Sequence, residues 1–352
     1  GAEANALLAQ YTGSDGRNVQ HRGVSAERAE GEIEVHLTSK GQKTGTLNIE
    51  INAPDGRQVF AKRQKAKIDE KPVAIPFTIE KPELWSPEHP ALYTVTAAIG
   101  EDSIADRVVV RTGFRAISVS TEGGFTINGA RIPIHGVELH HDNTLSGGTL
   151  VAEDYNADLR QIHDIGANAI RSAVFPHAQY LYDRCDEQGL LVWIDMPFHR
   201  APFLGDMSYF ATPEFEENGM QQLQEIIAQN INHPSVVMWG IFSQLWMRGD
   251  DVTPYLRRLN DTARTMDPSR PTVACSDQDG ALNFITDLIV WKQSVGWRRG
   301  STDDVIVWRD LLQKNWSYLK SGVCYGGQGF LGHKSYTTWD EPRSNWLPEE
   351  KQ

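Results

Sequence analysis

The residues most able to do chemistry sit at the ends of apolar runs. In Asn232-His-Pro-Ser-Val-Val-Met-Trp-Gly-Ile-Phe-Ser-Gln-Leu-Trp246 a Pro-set turn leads into a buried strand, Val236 to Phe242, and the polar pair Ser243 and Gln244 follows it. In a barrel of parallel strands that end is where chemistry sits. Gln244 can donate and accept hydrogen bonds but has no proton to give at useful pH. Lys292 closes a second run, Asp287-Leu-Ile-Val-Trp-Lys292. Between Trp291 and apolar neighbours its amine would be desolvated, which favours the neutral form and makes a Schiff-base nucleophile toward carbonyl compounds. The plain alternative is a lysine that reaches solvent or pairs with Asp142 or Asp195. Cys324 ends a third run and offers a thiol nucleophile.

Other site chemistries find little support. Cys185, Cys275 and Cys324 are odd in number and lack CxxC spacing, so neither a disulfide framework nor a zinc site is expected. His140, His141, His163 and His199 form no HExxH-like pair, and no metal or other cofactor is expected. Gly326-Gly-Gln-Gly329 lacks the strand-to-helix setting and the Lys-Ser/Thr of a phosphate loop. A net charge of −12, from 34 basic and 46 acidic residues, disfavours nucleic acid, because such a site needs a basic stripe and the Lys and Arg here are scattered. No run reaches the roughly 18 apolar residues of a membrane helix. The first residues show no basic-then-apolar leader, so the compartment stays open, and a secreted or periplasmic place would follow from a leader removed before residue 1.

Two kinds of periodicity position these residues. From Glu32 the pattern alternates, with Ile33, Val35 and Leu37, then Leu47, Ile49 and Ile51, then Val73, Ile75, Phe77 and Ile79, then Tyr93, Val95 and Ala97. Period-2 segments broken by turns such as Pro54-Asp55-Gly56 predict an all-β immunoglobulin-like sandwich over 31–112, after an irregular lead-in over 1–30. Phe125-Thr-Ile-Asn-Gly129 fits a hairpin with Asn-Gly as its turn.

The period then changes. Ile132 to Val137 is a short apolar run, and Glu153 to Ile165 places Tyr155, Leu159, Ile162 and Ile165 on one helical stripe ending at Gly166. The unit repeats, with strands expected at Ala167 to Arg171, Leu190 to Met196, Val236 to Phe242, Pro271 to Ala274, Asp287 to Trp291 and Gly322 to Tyr325. Helices are expected at His177 to Glu187, Glu214 to Gln229, Val252 to Met266 and Asp303 to Lys320. Strands alternating with helices give a parallel sheet, most simply a (β/α)8 TIM barrel over 117–352. The strand candidates fall one short of a closed barrel, so the barrel reads as incomplete at the C-terminus, with strands one and seven as unpaired edges. Pro348 would start a seventh helix.

Several of these stretches resemble glycoside hydrolase family 2, the β-galactosidase and β-glucuronidase group. The run Asn232 to Trp246 is similar to the strand whose pattern is NHPS, apolar residues, Trp, three residues, then Asn-Glu. Glu83-Leu-Trp-Ser-Pro-Glu-His-Pro-Ala-Leu-Tyr93 and Thr112-Gly-Phe-Arg-Ala116 resemble the segment that closes the sandwich and leads into the barrel, where Trp85 and Leu92 would seal the sandwich. The resemblance implies a retaining β-glycosidase, with a β-linked sugar or oligosaccharide as its partner and with a homo-oligomer compatible.

A retaining enzyme needs two carboxyl groups about 5 to 5.5 Å apart, one as acid/base and one as nucleophile. By the resemblance Gln244 stands at the acid/base position, and Val323-Cys-Tyr-Gly-Gly327 puts Cys324 at the nucleophile position. Hydrolysis should therefore be impaired or absent, leaving a carbohydrate-binding pseudoenzyme, or a redesigned barrel using Lys292 or Cys324, as alternatives. Lys292 and Ser294 also depart from the family's Asn and Tyr, and Ala173-Val-Phe-Pro176 from its His-Tyr-Pro. In Gly136-Val-Glu-Leu-His-His-Asp142 the resemblance places His140 and Asp142 in the cleft. Arg171 would brace the nucleophile, Asp195 would end strand three, and Trp291 and Trp339 would offer flat faces for sugar stacking. Each has a plain structural alternative: Arg171 as a salt bridge at the barrel mouth, Trp291 as packing, His140 as a buried, hydrogen-bonded ring.

Overall fold

The computed structural model describes residues 2–9, 23–39, 43–68, 71–100, 104–142, 147–199, 209–245, 249–295 and 300–325. Its first half is a sandwich. The strands β1 (Ala2–Ala9), β2 (Arg28–Ser39) and β5 (Val73–Glu80) form one sheet in the order β1-β2-β5. The other runs β4-β3-β6-β7, from β3 (Thr44–Asn52), β4 (Gln58–Lys67), β6 (Tyr93–Gly100) and β7 (Ile104–Thr112). All pairings in both sheets are antiparallel. The alternation seen in sequence is the cause: Ile33, Val35, Leu37, Leu47, Ile49, Ile51, Ile75, Phe77, Tyr93, Val95 and Ile99 all point into one core between the sheets. β4 lies at one end of its sheet and reads Gln-Val-Phe-Ala-Lys-Arg-Gln-Lys-Ala-Lys, and such lysines discourage edge pairing with another chain. The expected irregular lead-in is corrected at β1, which pairs with β2 from Ala2 opposite Ser39 to Ala9 opposite Glu32.

A small antiparallel sheet, β8 (Ile117–Ser120), β9 (Gly124–Ile127) and β10 (Ala130–Arg131), links sandwich to barrel. Asn128 and Gly129 both have positive φ, 53° and 81°, the primed turn that their types favour in a two-residue hairpin.

Seven parallel strands follow in sequential order: β11 (Gly136–Leu139), β12 (Ala169–Ser172), β13 (Leu191–Asp195), β14 (Val236–Ser243), β15 (Thr272–Ser276), β16 (Leu288–Lys292) and β17 (Ser321–Cys324). Among the described residues the sheet is a curled, TIM-barrel-type array of seven strands with β11 and β17 outermost. The helices are α1 (Ala152–Asp164), α2 (Gln179–Gln188), α3 (Pro213–Asn230), α4 (Thr253–Met266) and α5 (Thr302–Asn315). Local chemistry sets their ends. Pro213 opens α3 behind Thr212, whose hydroxyl accepts from the Phe215 N–H at 3.4 Å, and Gly189 ends α2 in the left-handed region. Between β15 and β16 stands only a short 3-10 turn, Ala281–Phe284. The helix expected to run to Lys320 stops at Asn315, and the first barrel strand lies at 136–139 rather than 132–137. The seventh helix expected from Pro348 lies outside the described residues.

Strand alternation divides the barrel side chains. Ile170, Val192, Ile194, Trp239, Ile241, Ala274, Ile289 and Trp291 pack against the helices. Ala169, Leu191, Met238, Val273 and Leu288 fill the lower interior, and Trp85 joins them, fully buried, with Leu92 beside it. Trp85 therefore plugs the floor of the barrel rather than sealing the sandwich, and its indole N–H donates to the Asp186 carbonyl at 3.0 Å. The junction is close: a Cβ on Gly189 would stand 2.1 Å from the Pro87 carbonyl oxygen. Arg115, 2% exposed, donates to the carbonyls of Pro234 and Val236 at 2.5 and 2.6 Å, and Arg270 donates to the same Val236 carbonyl at 2.6 Å. Two guanidinium groups, one from the linker and one from the barrel, thus hold the start of β14.

Candidate active site

The upper interior of the barrel carries a charged layer. Glu138 on β11 pairs in register with Arg171 on β12, and Arg171 with Trp193 on β13, so all three point inward side by side. The Arg171 guanidinium lies 4.3 Å over the Trp193 ring. Its Nε and Nη2 donate to Asp195 Oδ2 at 2.9 and 2.7 Å, Nη2 also to Ser243 Oγ at 2.9 Å, and Nη1 to Glu138 Oε1. From the far side of the sheet, Lys292 Nζ lies 2.5 Å from Glu138 Oε2, and Cys324 Sγ lies 3.5 Å from Glu138 Oε1. Lys292 and Cys324 are themselves paired in register.

Charge is distributed unevenly over this layer. Burial would raise the Glu138 carboxyl, but Arg171 and Lys292 outweigh it and hold it down at about 2. Burial pushes Asp195 up to about 6 against the pull of the same Arg171, because Asp195 is 1% exposed. Burial also acts against the Arg171 charge, and the surrounding acids, Asp195 first, more than restore it. The Cys324 thiol is pushed up to about 12 by burial and by the Glu138 charge beside it, so at neutral pH it is a thiol and not a thiolate.

The site residues expected from sequence meet different fates. Arg171, Asp195, Ser243, Lys292 and Cys324 belong to this layer, but Arg171, Asp195 and Ser243 are buried; Arg171 donates to Asp195 Oδ2 and to Ser243 Oγ, while Asp195 Oδ1 has no hydrogen-bond partner among the described residues. Gln244 begins the loop after β14 with φ of 51°; its N–H donates to the Cys275 carbonyl at 2.7 Å and its Nε2 to Asp277 Oδ2 at 3.3 Å. His140 and Asp142 are exposed on the loop after β11. Their neighbour His141 accepts or donates toward the Tyr155 hydroxyl at 3.1 Å and stands 5.2 Å from the ring of His177, which burial and His141 push down to about 4. Trp291 is turned to the helices, 4% exposed, with its ring 5.9 Å from Trp316, a packing position rather than a face for a sugar. Trp339 lies outside the described residues.

Glu138 was not among the expected site residues. Its signal was a carboxylate inside an otherwise apolar strand, and its weight comes from partners 33, 154 and 186 positions away. Gly240 matters for the same layer: a Cβ there would stand 2.2 Å from Asp195 Oδ1 and 2.4 Å from Trp193 Nε1.

An immunoglobulin-like sandwich feeds a parallel barrel whose arginine-centred polar layer lies at the C-terminal ends of its strands, where barrel enzymes place their active sites. Comparison with known proteins makes the class specific. The profile described as "Glycosyl hydrolases family 2, TIM barrel domain" matches residues 117–313, and "Glycosyl hydrolases family 2" matches residues 18–115. The chain belongs to glycosyl hydrolases family 2. It is 33% identical over 337 residues to a β-glucuronidase of Bacteroides fragilis, covering 93% of this chain and 48% of that protein. It is 28% identical over 261 residues to a β-galactosidase of Thermoanaerobacter pseudethanolicus, covering 73% of this chain and 33% of that protein. Among solved structures, an FMN-binding β-glucuronidase from Facaelibacterium prausnitzii L2-6 matches with a TM-score of 0.79 at 29% identity, over 90% of this chain and 48% of that one. The chain thus spans about half or less of the length of these relatives.

Proposed function

We propose that this chain is the sandwich and barrel portion of a β-glycosidase whose cleft takes a β-linked sugar or oligosaccharide, with O-glycosyl hydrolysis impaired or absent. One observation carries the reading: the side chain at the position matched to the nucleophile is a half-buried thiol kept protonated beside a carboxylate. The matched acid/base position holds an amide that donates to Asp277 and cannot protonate a leaving group. General acid catalysis contributes about 10² to 10⁴-fold, and that part should be missing. The test is Gln244→Glu with Cys324→Glu, assayed on aryl β-galactosides and β-glucuronides. A new carboxyl at position 324 would sit against Glu138, and like charges that close disfavour double ionisation. The pair is therefore made with and without Glu138→Gln. A rise in turnover of at least about 10²-fold is expected in the better background, and no rise in either counts against the reading.

A carbohydrate-binding pseudoenzyme is favoured by a separate observation: Arg171 donates to both Asp195 and Ser243, and all three are buried away from solvent. Calorimetric titration with the same sugars distinguishes it, since a total absence of binding ends it. The Lys292 Schiff-base alternative is disfavoured by the 2.5 Å ion pair with Glu138. Borohydride trapping with a carbonyl compound would revive it if an adduct appeared and vanished in Lys292→Ala.

A further inference from the structure

We propose that Glu138 is the nucleophile for the glycosyl transfer this site can still perform, its carboxylate reaching from β11 the place that the family fills from β17. The inference rests on the reading of this cleft as a family 2 sugar site. Three contacts carry it. Glu138 Oε1 lies 3.5 Å from Cys324 Sγ, and Cys is shorter than Glu, so the carboxylate fills the space a longer acid at 324 would reach. Arg171, expected to brace the nucleophile, braces Glu138 through Nη1. Lys292 holds the other oxygen at 2.5 Å, which fixes the carboxylate plane between two cations. Exposure separates it from the other acid of the layer, since Glu138 is 20% exposed and Asp195 only 1%. Glu138 can meet a ligand from the barrel mouth and Asp195 cannot.

The step is a displacement without redox change. A Glu138 carboxylate oxygen forms a bond to the anomeric carbon, and the bond from that carbon to the leaving group breaks, the pair of electrons departing with the leaving group. Water then cleaves the glycosyl ester, returning the carboxylate, the sugar and a proton. With Gln244 unable to supply a proton, the leaving group has to depart unaided, so reactivity is confined to glycosides of strongly acidic leaving groups.

The probes are 2-deoxy-2-fluoro-β-D-galactosyl fluoride and the corresponding glucuronyl fluoride, whose fluoride needs no acid and whose ester turns over slowly. Intact-mass and peptide-mass measurements on the full chain should find one adduct at Glu138, lost in Glu138→Gln. Because Glu138→Gln removes a partner of Arg171 and Lys292 and can fail to fold, Glu138→Asp serves as the second variant. It keeps the charge, withdraws the carboxylate by one methylene and should slow labelling by about a hundredfold. An adduct on Cys324 or Asp277, or saturable binding by calorimetry with no adduct, overturns the Glu138 assignment and leaves the sugar-cleft reading in place. Neither binding nor adduct overturns both.

Discussion

Removing Arg171 tests the charged layer most directly. In Arg171→Met the side chain keeps much of its bulk over Trp193, but Asp195 loses its ion-pair partner, Glu138 keeps Lys292 and the Cys324 thiol, and the Ser243 hydroxyl loses a donor. Arg171 is 5% exposed and Asp195 1%, so the pair is a buried one, and breaking such a pair from one side costs about 3–5 kcal/mol. For a unit of this size that lowers the melting temperature by on the order of 10 °C. The pH dependence has a definite sign. Asp195 already sits at about 6, above the 3.8 of an ordinary aspartate, so its burial destabilises the protein above about pH 6 and is relieved as it takes up a proton toward pH 4. Glu138 is the opposite case: at about 2, below the 4.5 of an ordinary glutamate, it contributes stability above about pH 4.5 that is lost as the pH falls through 2. Taking Arg171 away raises both carboxyls, so the variant's penalty is largest near pH 8 and shrinks toward pH 5. Urea titrations of both proteins by tryptophan fluorescence at pH 5, 6.5 and 8 measure it. A penalty under about 1 kcal/mol at pH 8, or one that does not change between pH 8 and pH 5, refutes the account.

Two further perturbations address the scaffold. Gly240→Ala forces a methyl against Asp195 Oδ1 and Trp193 Nε1 and should cost about 1–3 kcal/mol, seen as a lower urea midpoint with altered near-ultraviolet dichroism. Arg115→Leu strips the Pro234 carbonyl of a buried donor and leaves Val236 only Arg270; about 1–3 kcal/mol should be lost from the calorimetric transition of the barrel.

Much of the architecture was legible because burial obeys the period of the backbone. Alternation from Ile33 to Ala97 gave the sandwich core, and the seven parallel strands lie within a few residues of the runs expected for them. β4 escaped notice because its lysines blur the alternation, and β1 because its partner, β2, is separated from it by a long stretch. The floor position of Trp85 depends on where the linker docks, which no local pattern encodes. Trp291 was open to inference: Lys292 faces inward, so its neighbour must face the helices. Glu138 was harder. A lone acid in a short strand gains meaning only once β17 curls round to face β11, and that curvature belongs to the whole sheet.

The two arginines on the Val236 carbonyl bear on how such proteins can be rebuilt by recombination. One guanidinium arrives with the sandwich's exit segment and the other with the barrel, and both meet at the root of the strand that ends in Ser243. A foreign sandwich spliced in at this seam would preserve that root only by delivering its own cation to the same spot. In this chain the two halves thus meet as a fitted pair rather than as interchangeable parts.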